Sequence, residues 1–154
     1  MQLQWGQPDN YSVDAVLPYI GPERQGRLYP AKSLLDAGAT IAGASDWNVS
    51  TFNPFEAIAV AMSRRNPKEP QRGTFAPDQA LTLDQMLTAY TMNAARMLGR
   101  EKEVGSLEAG KTADIVVLDR QLGASSSADE VLATKVVYTF SNGRQLIGPA
   151  SDPS

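Results

Sequence analysis

Short apolar runs separated by glycine and proline set the pattern of elements along this chain. The segment Leu3 to Gln7 predicts a short strand, and an apolar spacing from Ser12 to Ile20 predicts a helix. The Gly21-Pro22 pair ends that helix. A second helix is predicted from Pro30 to Ala37, with Gly38 at the position of a C-cap.

The next run, Thr40 to Ser45, is apolar, made of small residues, and lacks polar alternation. Such runs are typical of a strand buried on both faces in a parallel sheet or a barrel. The run ends at Asp46, and a helix is predicted to follow with Asn53 as its cap and Pro54 at its first position. Helix, strand, loop and helix joined by short connections indicate an α/β layer.

After a Pro- and Gly-rich loop at 66–80, Thr82 and Gln85 form a capping box at the start of a helix that passes through Tyr90. The apolar pattern resumes after Tyr90 and stops at Gly99. We interpret residues 1–100 as one structural unit that contains helices and buried strands.

After residue 100 the sequence pattern changes from helices to short β-strands. Ile115 to Leu118 and Lys135 to Phe140 predict strands, and Asn142-Gly143 is a strong hairpin signal before a returning strand. The stretch 121–130, with three consecutive serines, is interpreted as a mobile connector. The sequence therefore predicts a second, β-rich unit at 104–148 and a disordered tail at 149–154.

Composition and charge argue against some classes of binding partner. The chain has 154 residues and a net charge of −3, which argues against a nucleic-acid partner because such partners require a basic stripe. We interpret the densest basic cluster, Arg64, Arg65 and Lys68, as a solvated helix end. No apolar run is long enough for a membrane span, and the first residues do not resemble an export signal. Cytoplasmic localisation is therefore expected.

The chain contains no histidine and no cysteine. This excludes a Ser-His-Asp triad, a Cys-His dyad and any His- or Cys-ligated metal within the chain itself. Chemistry must come from carboxylates, hydroxyls, lysines or tyrosines.

Asp46 is the first candidate for such chemistry. A carboxylate at the C-terminal end of a buried parallel strand lies where α/β barrels place catalytic groups. The alternative is that Ser45 and Asp46 only end the strand, with their short side chains bonding the turn. From the residues alone both interpretations stay open.

A family resemblance favours the catalytic interpretation. Ala42-Gly43-Ala44-Ser45-Asp46-Trp47-Asn48-Val49 resembles the Gly-Ser-Asp-x-Pro-Val segment that ends the last barrel strand of metal-dependent amidohydrolases, specifically amidohydrolase family 3 with its N-substituted formamide deformylase-like members. Similar segments occur in the family's order: Gln7-Pro8, Gly21-Pro22-Glu23-Arg24, Ser33 to Ala39, Asn53-Pro54, Ala89 to Ala95 and Gly105 to Leu118.

The resemblance implies that this chain is the last part of a TIM-type hydrolase barrel, strands seven and eight with their helices, followed by the C-terminal strands of a small composite β-sandwich. The isolated piece would be α+β. Asp46 would be the last-strand carboxylate, helping to hold zinc or another divalent metal and accepting a proton during hydrolysis of a non-peptide C–N bond. Asn10, where many members carry histidine, and Trp47 are candidate pocket residues, and Asn48 replaces the usual proline.

Because the family's metal-binding histidines are absent, the resemblance leaves enzymatic activity of this chain alone uncertain, and we expect it to be inactive. It would act as a hydrolase when the barrel is complete. The alternatives are a non-catalytic fragment or subunit that completes a barrel with an N-terminal amidohydrolase partner, or a small binding module. Unpaired strand edges also predict self-association as a homo-oligomer.

Overall fold

Two small sheets and six α-helices make up the part of the chain that the structure describes. The computed structural model describes residues 2–4, 17–48 and 50–148. The elements follow the order β1 (Gln2–Gln4), α1 (Leu17–Gln25), α2 (Ala31–Asp36), β2 (Ala42–Ala44), α3 (Pro54–Ser63), α4 (Leu83–Tyr90), α5 (Met92–Met97), β3 (Ile115–Leu118), α6 (Ala128–Leu132), β4 (Val136–Ser141) and β5 (Arg144–Ile147). No helix in this described part combines the length and apolar character that crossing a bilayer requires.

The first sheet pairs β1 with β2 in parallel, with Gln2, Leu3 and Gln4 opposite Ala42, Gly43 and Ala44. The predicted strand is confirmed at Ala42–Ala44 and pairs in parallel, although only Ala42 of its three residues is buried. The remainder of the predicted first strand and most of the helix from Ser12 lie outside the described residues. Helix α1 contains a non-helical Gly21 with φ 73°, which confirms the predicted break.

Helix α3 begins as the sequence predicts. The Asn53 side chain accepts a hydrogen bond from the Phe55 N–H, and Pro54 occupies the first turn, where no backbone donor is needed. Five consecutive residues of α3 are buried, because the helix lies between α4 and α6. The core cluster consists of Ala31, Ile41, Ala57, Ile58, Ala59, Ala61, Leu81, Leu83, Met86 and Val131.

The end of α3 corrects one expectation. Arg64 is only 4% exposed, so the prediction of a solvated helix end is wrong for this residue. Its Nε donates to the Phe75 carbonyl at 3.1 Å, and its guanidinium lies 5.9 Å from the Phe75 ring centroid. Burial lowers the pKa of Arg64, an effect opposed by the nearby Asp78 carboxylate. Arg64 therefore fixes the 66–80 loop against α3.

The predicted capping box opens α4. The Thr82 side chain accepts from the Gln85 N–H, and the Gln85 side chain accepts from the Thr82 N–H. The helix is interrupted at Thr91, with φ −116° and ψ −90°, before α5 begins. This interruption sets the angle at which α5 meets β2.

The second sheet is antiparallel in the order β3-β4-β5. Asn142 and Gly143 both have positive φ, 51° and 76°, as the predicted two-residue hairpin turn requires. The Asp114 carboxylate accepts from the Asn142 N–H at 2.8 Å and from the Ser141 hydroxyl at 3.1 Å. Asp114 thus ties the entry of β3 to the hairpin.

The prediction that residues 121–130 form a mobile connector is wrong in part, because this stretch contains the start of helix α6. Ser127 and Glu130 form a second capping box at its N-terminus. Val131 is fully buried and belongs to the core cluster beside α3. The core therefore includes a residue from the predicted β-rich unit. The division of the chain into 1–100, 104–148 and 149–154 stays a prediction. The predicted disordered tail, 149–154, lies outside the described residues.

Candidate functional site

Asp46 follows β2 at its C-terminal end, after Ser45. Its backbone is left-handed, with φ 52°, a conformation that aspartate tolerates better than most residues. Its side chain is half-buried. The carboxylate therefore lies at the edge where a parallel α/β layer gathers its functional groups.

The turn around Asp46 is hydrogen-bonded locally. The Ser45 hydroxyl accepts from the Trp47 N–H at 3.2 Å, and the Asp46 carbonyl accepts from the Ser50 N–H at 3.3 Å. The structural part of the strand-end interpretation is therefore confirmed for Ser45.

Tyr90 covers β2. A Cβ built on Gly43 would lie 2.6 Å from Cδ2 of the Tyr90 ring, so the ring rests directly on the glycine backbone. The Tyr90 hydroxyl donates to the Ala44 carbonyl at 3.4 Å. Burial raises the pKa of Tyr90 to about 12. Tyr90 is therefore a packing residue, because it lies against the core cluster.

Asn93 holds the other end of the same strand. Its Nδ2 donates to the Ile41 carbonyl at 3.0 Å, and its Oδ1 accepts from Nη1 of Arg96 at 3.1 Å. Sequence reasoning included Asn93 only within a resemblance segment and gave it no role. The available signal was an asparagine inside a helical pattern, where its helix propensity is poor and a specific contact is the usual compensation.

The structure places a cavity of about 270 Å³ at the opposite end of β2. Ile41, which precedes β2, lines it, whereas Asp46 follows β2. Four residues, Ala42 to Ser45, separate the two positions, and the three that form β2 alone extend over about 10 Å. The cavity is lined by Leu35, Ile41, Leu81, Asp84, Gln85, Thr88, Ala89 and Asn93. It is therefore not the site that Asp46 would serve.

Of the two predicted pocket residues, Asn10 and Trp47, the structure describes only Trp47. The Trp47 side chain is 68% exposed and does not line the cavity. Asn10 lies outside the described residues. Both assignments stay predictions.

The residues that the structure describes do not by themselves form a site for a metal ion. The sequence contains no histidine or cysteine. Across 2–4, 17–48 and 50–148, no group of three or more Asp or Glu side chains could hold a metal. One carboxylate is too few ligands for a zinc site, which needs three protein groups in catalytic examples.

Comparison with known proteins places this geometry in a family. Residues 3–147 match the model of the amidohydrolase family. The chain is 38% identical over 118 residues to N-substituted formamide deformylase from Arthrobacter pascens, a match that covers 76% of this chain and 21% of the relative. It is 31% identical over 119 residues to imidazolonepropionase from Bdellovibrio bacteriovorus, covering 77% and 25%.

The fold is also similar to a solved enzyme. A mutant of atrazine chlorohydrolase from Arthrobacter aurescens, complexed with zinc and atraton, superposes with a TM-score of 0.55 at 26% identity. The match covers 79% of this chain and 28% of that enzyme. The chain thus spans between a fifth and a third of the proteins it resembles.

Proposed function

This chain belongs to the amidohydrolase family, and we propose that it supplies the last-strand carboxylate, Asp46, of a hydrolase acting on non-peptide C–N bonds. The observation that carries the proposal is the position of Asp46 directly after β2, the strand that lies parallel to β1. In barrels of this kind, groups at the C-terminal ends of strands perform the reaction.

The proposal assigns two roles to the Asp46 carboxylate. A carboxylate is an oxygen ligand for a divalent cation and an acceptor for a proton. A divalent metal bound in such a site would supply a water of lowered pKa. Zinc is the metal we propose, because a similar solved enzyme contains it. The other ligands must come from outside the described residues.

The active form must contain more strands than the described residues provide. Within the described residues β2 pairs with β1 only, and a closed barrel requires two neighbours for every strand. We propose that an N-terminal amidohydrolase segment, on the same polypeptide or on a partner, supplies them. Self-association of copies through the free edge of β2 is the competing arrangement. Cytoplasmic localisation remains part of the proposal.

The test is complementation. The chain is co-expressed with the N-terminal three quarters of the Arthrobacter pascens deformylase, and the purified complex is assayed for zinc content and for hydrolysis of an N-substituted formamide. We expect activity in the complex and none in the chain alone. Asp46→Asn should lower kcat by about a hundredfold, because the neutral amide cannot accept a proton.

Asp36→Asn is the matched control. Asp36 forms an exposed ion pair with Lys32 at the end of α2, so the same exchange of carboxylate for amide should leave activity unchanged. Stoichiometric zinc on the dialysed isolated chain would contradict the claim that its ligands are insufficient. An active complex that is indifferent to Asp46→Asn would remove the role of Asp46.

A further inference from the structure

The strand that carries Asp46 is held by two side chains from one helix pair. Tyr90 is the last residue of α4, and Asn93 lies in the first turn of α5. Asn93 donates to the carbonyl of Ile41, and Tyr90 donates to the carbonyl of Ala44. The two bonds bracket β2 and lie on the polypeptide that leads directly into Asp46.

The Asn93 amide is fixed in one orientation. Its oxygen accepts from Arg96 at 3.1 Å, which leaves its nitrogen to donate to Ile41 at 3.0 Å. A flipped amide would place its oxygen against a carbonyl and its nitrogen against a guanidinium, losing both bonds. The side chain therefore sets the position of the Ile41 carbonyl rather than adapting to it.

The helix junction that bears these two residues is itself constrained. The Thr91 hydroxyl donates to the Leu87 carbonyl at 2.7 Å. A Cβ on Gly105 would lie 2.7 Å from Cβ of Ala95 and 3.2 Å from Cα of Met92. The segment that leads to the second sheet therefore packs tightly on the junction, and this packing limits its movement away from β2.

We infer that Asn93 and Tyr90 are positioning residues for Asp46, which act by holding the main chain of β2. The inference rests on the proposed function, since it assigns to Asp46 the role argued above. Asn93 contributes more than Tyr90 to holding β2, because its hydrogen bond is shorter and both ends of its amide are hydrogen-bonded. Neither side chain takes part in the reaction itself.

The first test needs no activity. Amide hydrogen exchange and the 1H–15N spectrum are measured on the full chain carrying Asn93→Ala, with Asn66→Ala as the control. Asn66 is a buried amide that bonds the Lys68 N–H and Glu69 in the 66–80 loop, away from β2. Asn93→Ala should accelerate exchange in Ala42–Ala44 about tenfold relative to α3 and shift the Asp46 amide resonance.

Asn66→Ala should leave the ratio of exchange between β2 and α3 unchanged. Equal effects of the two variants, or no local effect of Asn93→Ala, would overturn the inference. Tyr90→Phe keeps the ring on Gly43 and removes only the hydroxyl, so it should fold normally and give a smaller shift at Asp46. If Asn93→Ala fails to fold, the Tyr90→Phe variant decides the test. An Asp46 amide resonance that does not shift in Tyr90→Phe would then overturn the inference.

The second test uses the complemented enzyme. Asn93→Ala should lower kcat about tenfold with KM unchanged, because the misplaced group acts only in the reaction step. In an Asp46→Asn background the same change should have no further effect. Additive losses would overturn a role through Asp46. Failure of Asp46→Asn to affect activity would remove the proposed function, and the exchange measurement would still decide how β2 is held.

Discussion

The Tyr90 ring rests on the backbone of Gly43, and a Cβ at position 43 would lie between 2.6 and 2.8 Å from three of its ring carbons. Real Cβ atoms do not approach other atoms so closely. One of the three atoms is Cγ, which does not move when the ring turns about χ2, so turning the ring would not relieve the contact. The contact therefore makes glycine a requirement of the strand that leads into Asp46.

Gly43→Ala should destabilise the chain by about 1–3 kcal/mol, the usual range for overpacking a well-packed site. Urea unfolding followed by circular dichroism measures the loss. Adding Tyr90→Leu should recover part of it, because the smaller side chain makes room for the new methyl group. Purely additive losses in the double variant would contradict this explanation.

Stability should fall at alkaline pH through Tyr90. Its pKa is raised to about 12 by burial, from an ordinary value near 10. The folded state therefore holds the proton more tightly, so this contribution is complete below pH 10 and is lost as the pH rises toward 12.

Urea midpoints measured between pH 9 and 12 check this pH dependence. The fall should be smaller in Tyr90→Phe than in the unmodified chain. Tyr19→Phe serves as the control, because Tyr19 is 85% exposed and should give the same curve as the unmodified chain. Parallel curves for the Tyr90→Phe variant and the unmodified chain would show that Tyr90 does not cause the loss.

Val131→Ala tests whether α6 belongs to the core around α3. Val131 is fully buried, and removing two methyl groups should cost about 2 kcal/mol in the free energy of unfolding. Val116→Ala, at a side chain that is 52% exposed, should cost less than about 0.5 kcal/mol. Similar small losses in both variants would mean that α6 does not contribute to the core.

Asp114→Ala should weaken the second sheet. The Asp114 carboxylate accepts two hydrogen bonds from the hairpin, and their loss should cost about 1–2 kcal/mol. Asp36→Ala removes a carboxylate from an exposed ion pair and should change stability by less than about 0.5 kcal/mol. Thermal unfolding of the two variants side by side measures the difference, and an equal effect would argue against the role of Asp114.

The local elements and the family could be predicted from the sequence. The Asn53 cap, the Thr82–Gln85 capping box and the Asn142-Gly143 turn form as predicted, because each depends on residues only a few positions apart. The family resemblance includes the segments Ala42–Val49 and Gly105–Leu118, and residues 3–147 match the family model. Asp46 was found in this way as the candidate carboxylate.

Which distant residues contact each other depends on the tertiary structure. It buried Arg64, which the charge pattern assigned to solvent, because Phe75 and Asp78 return to it from a loop whose path the local pattern does not specify. It brought α6 onto α3, and it placed Tyr90 and Asn93 against β2 across more than 40 positions of sequence. Periodicity records which face of an element is apolar, but the partner of that face depends on the packing of the whole chain.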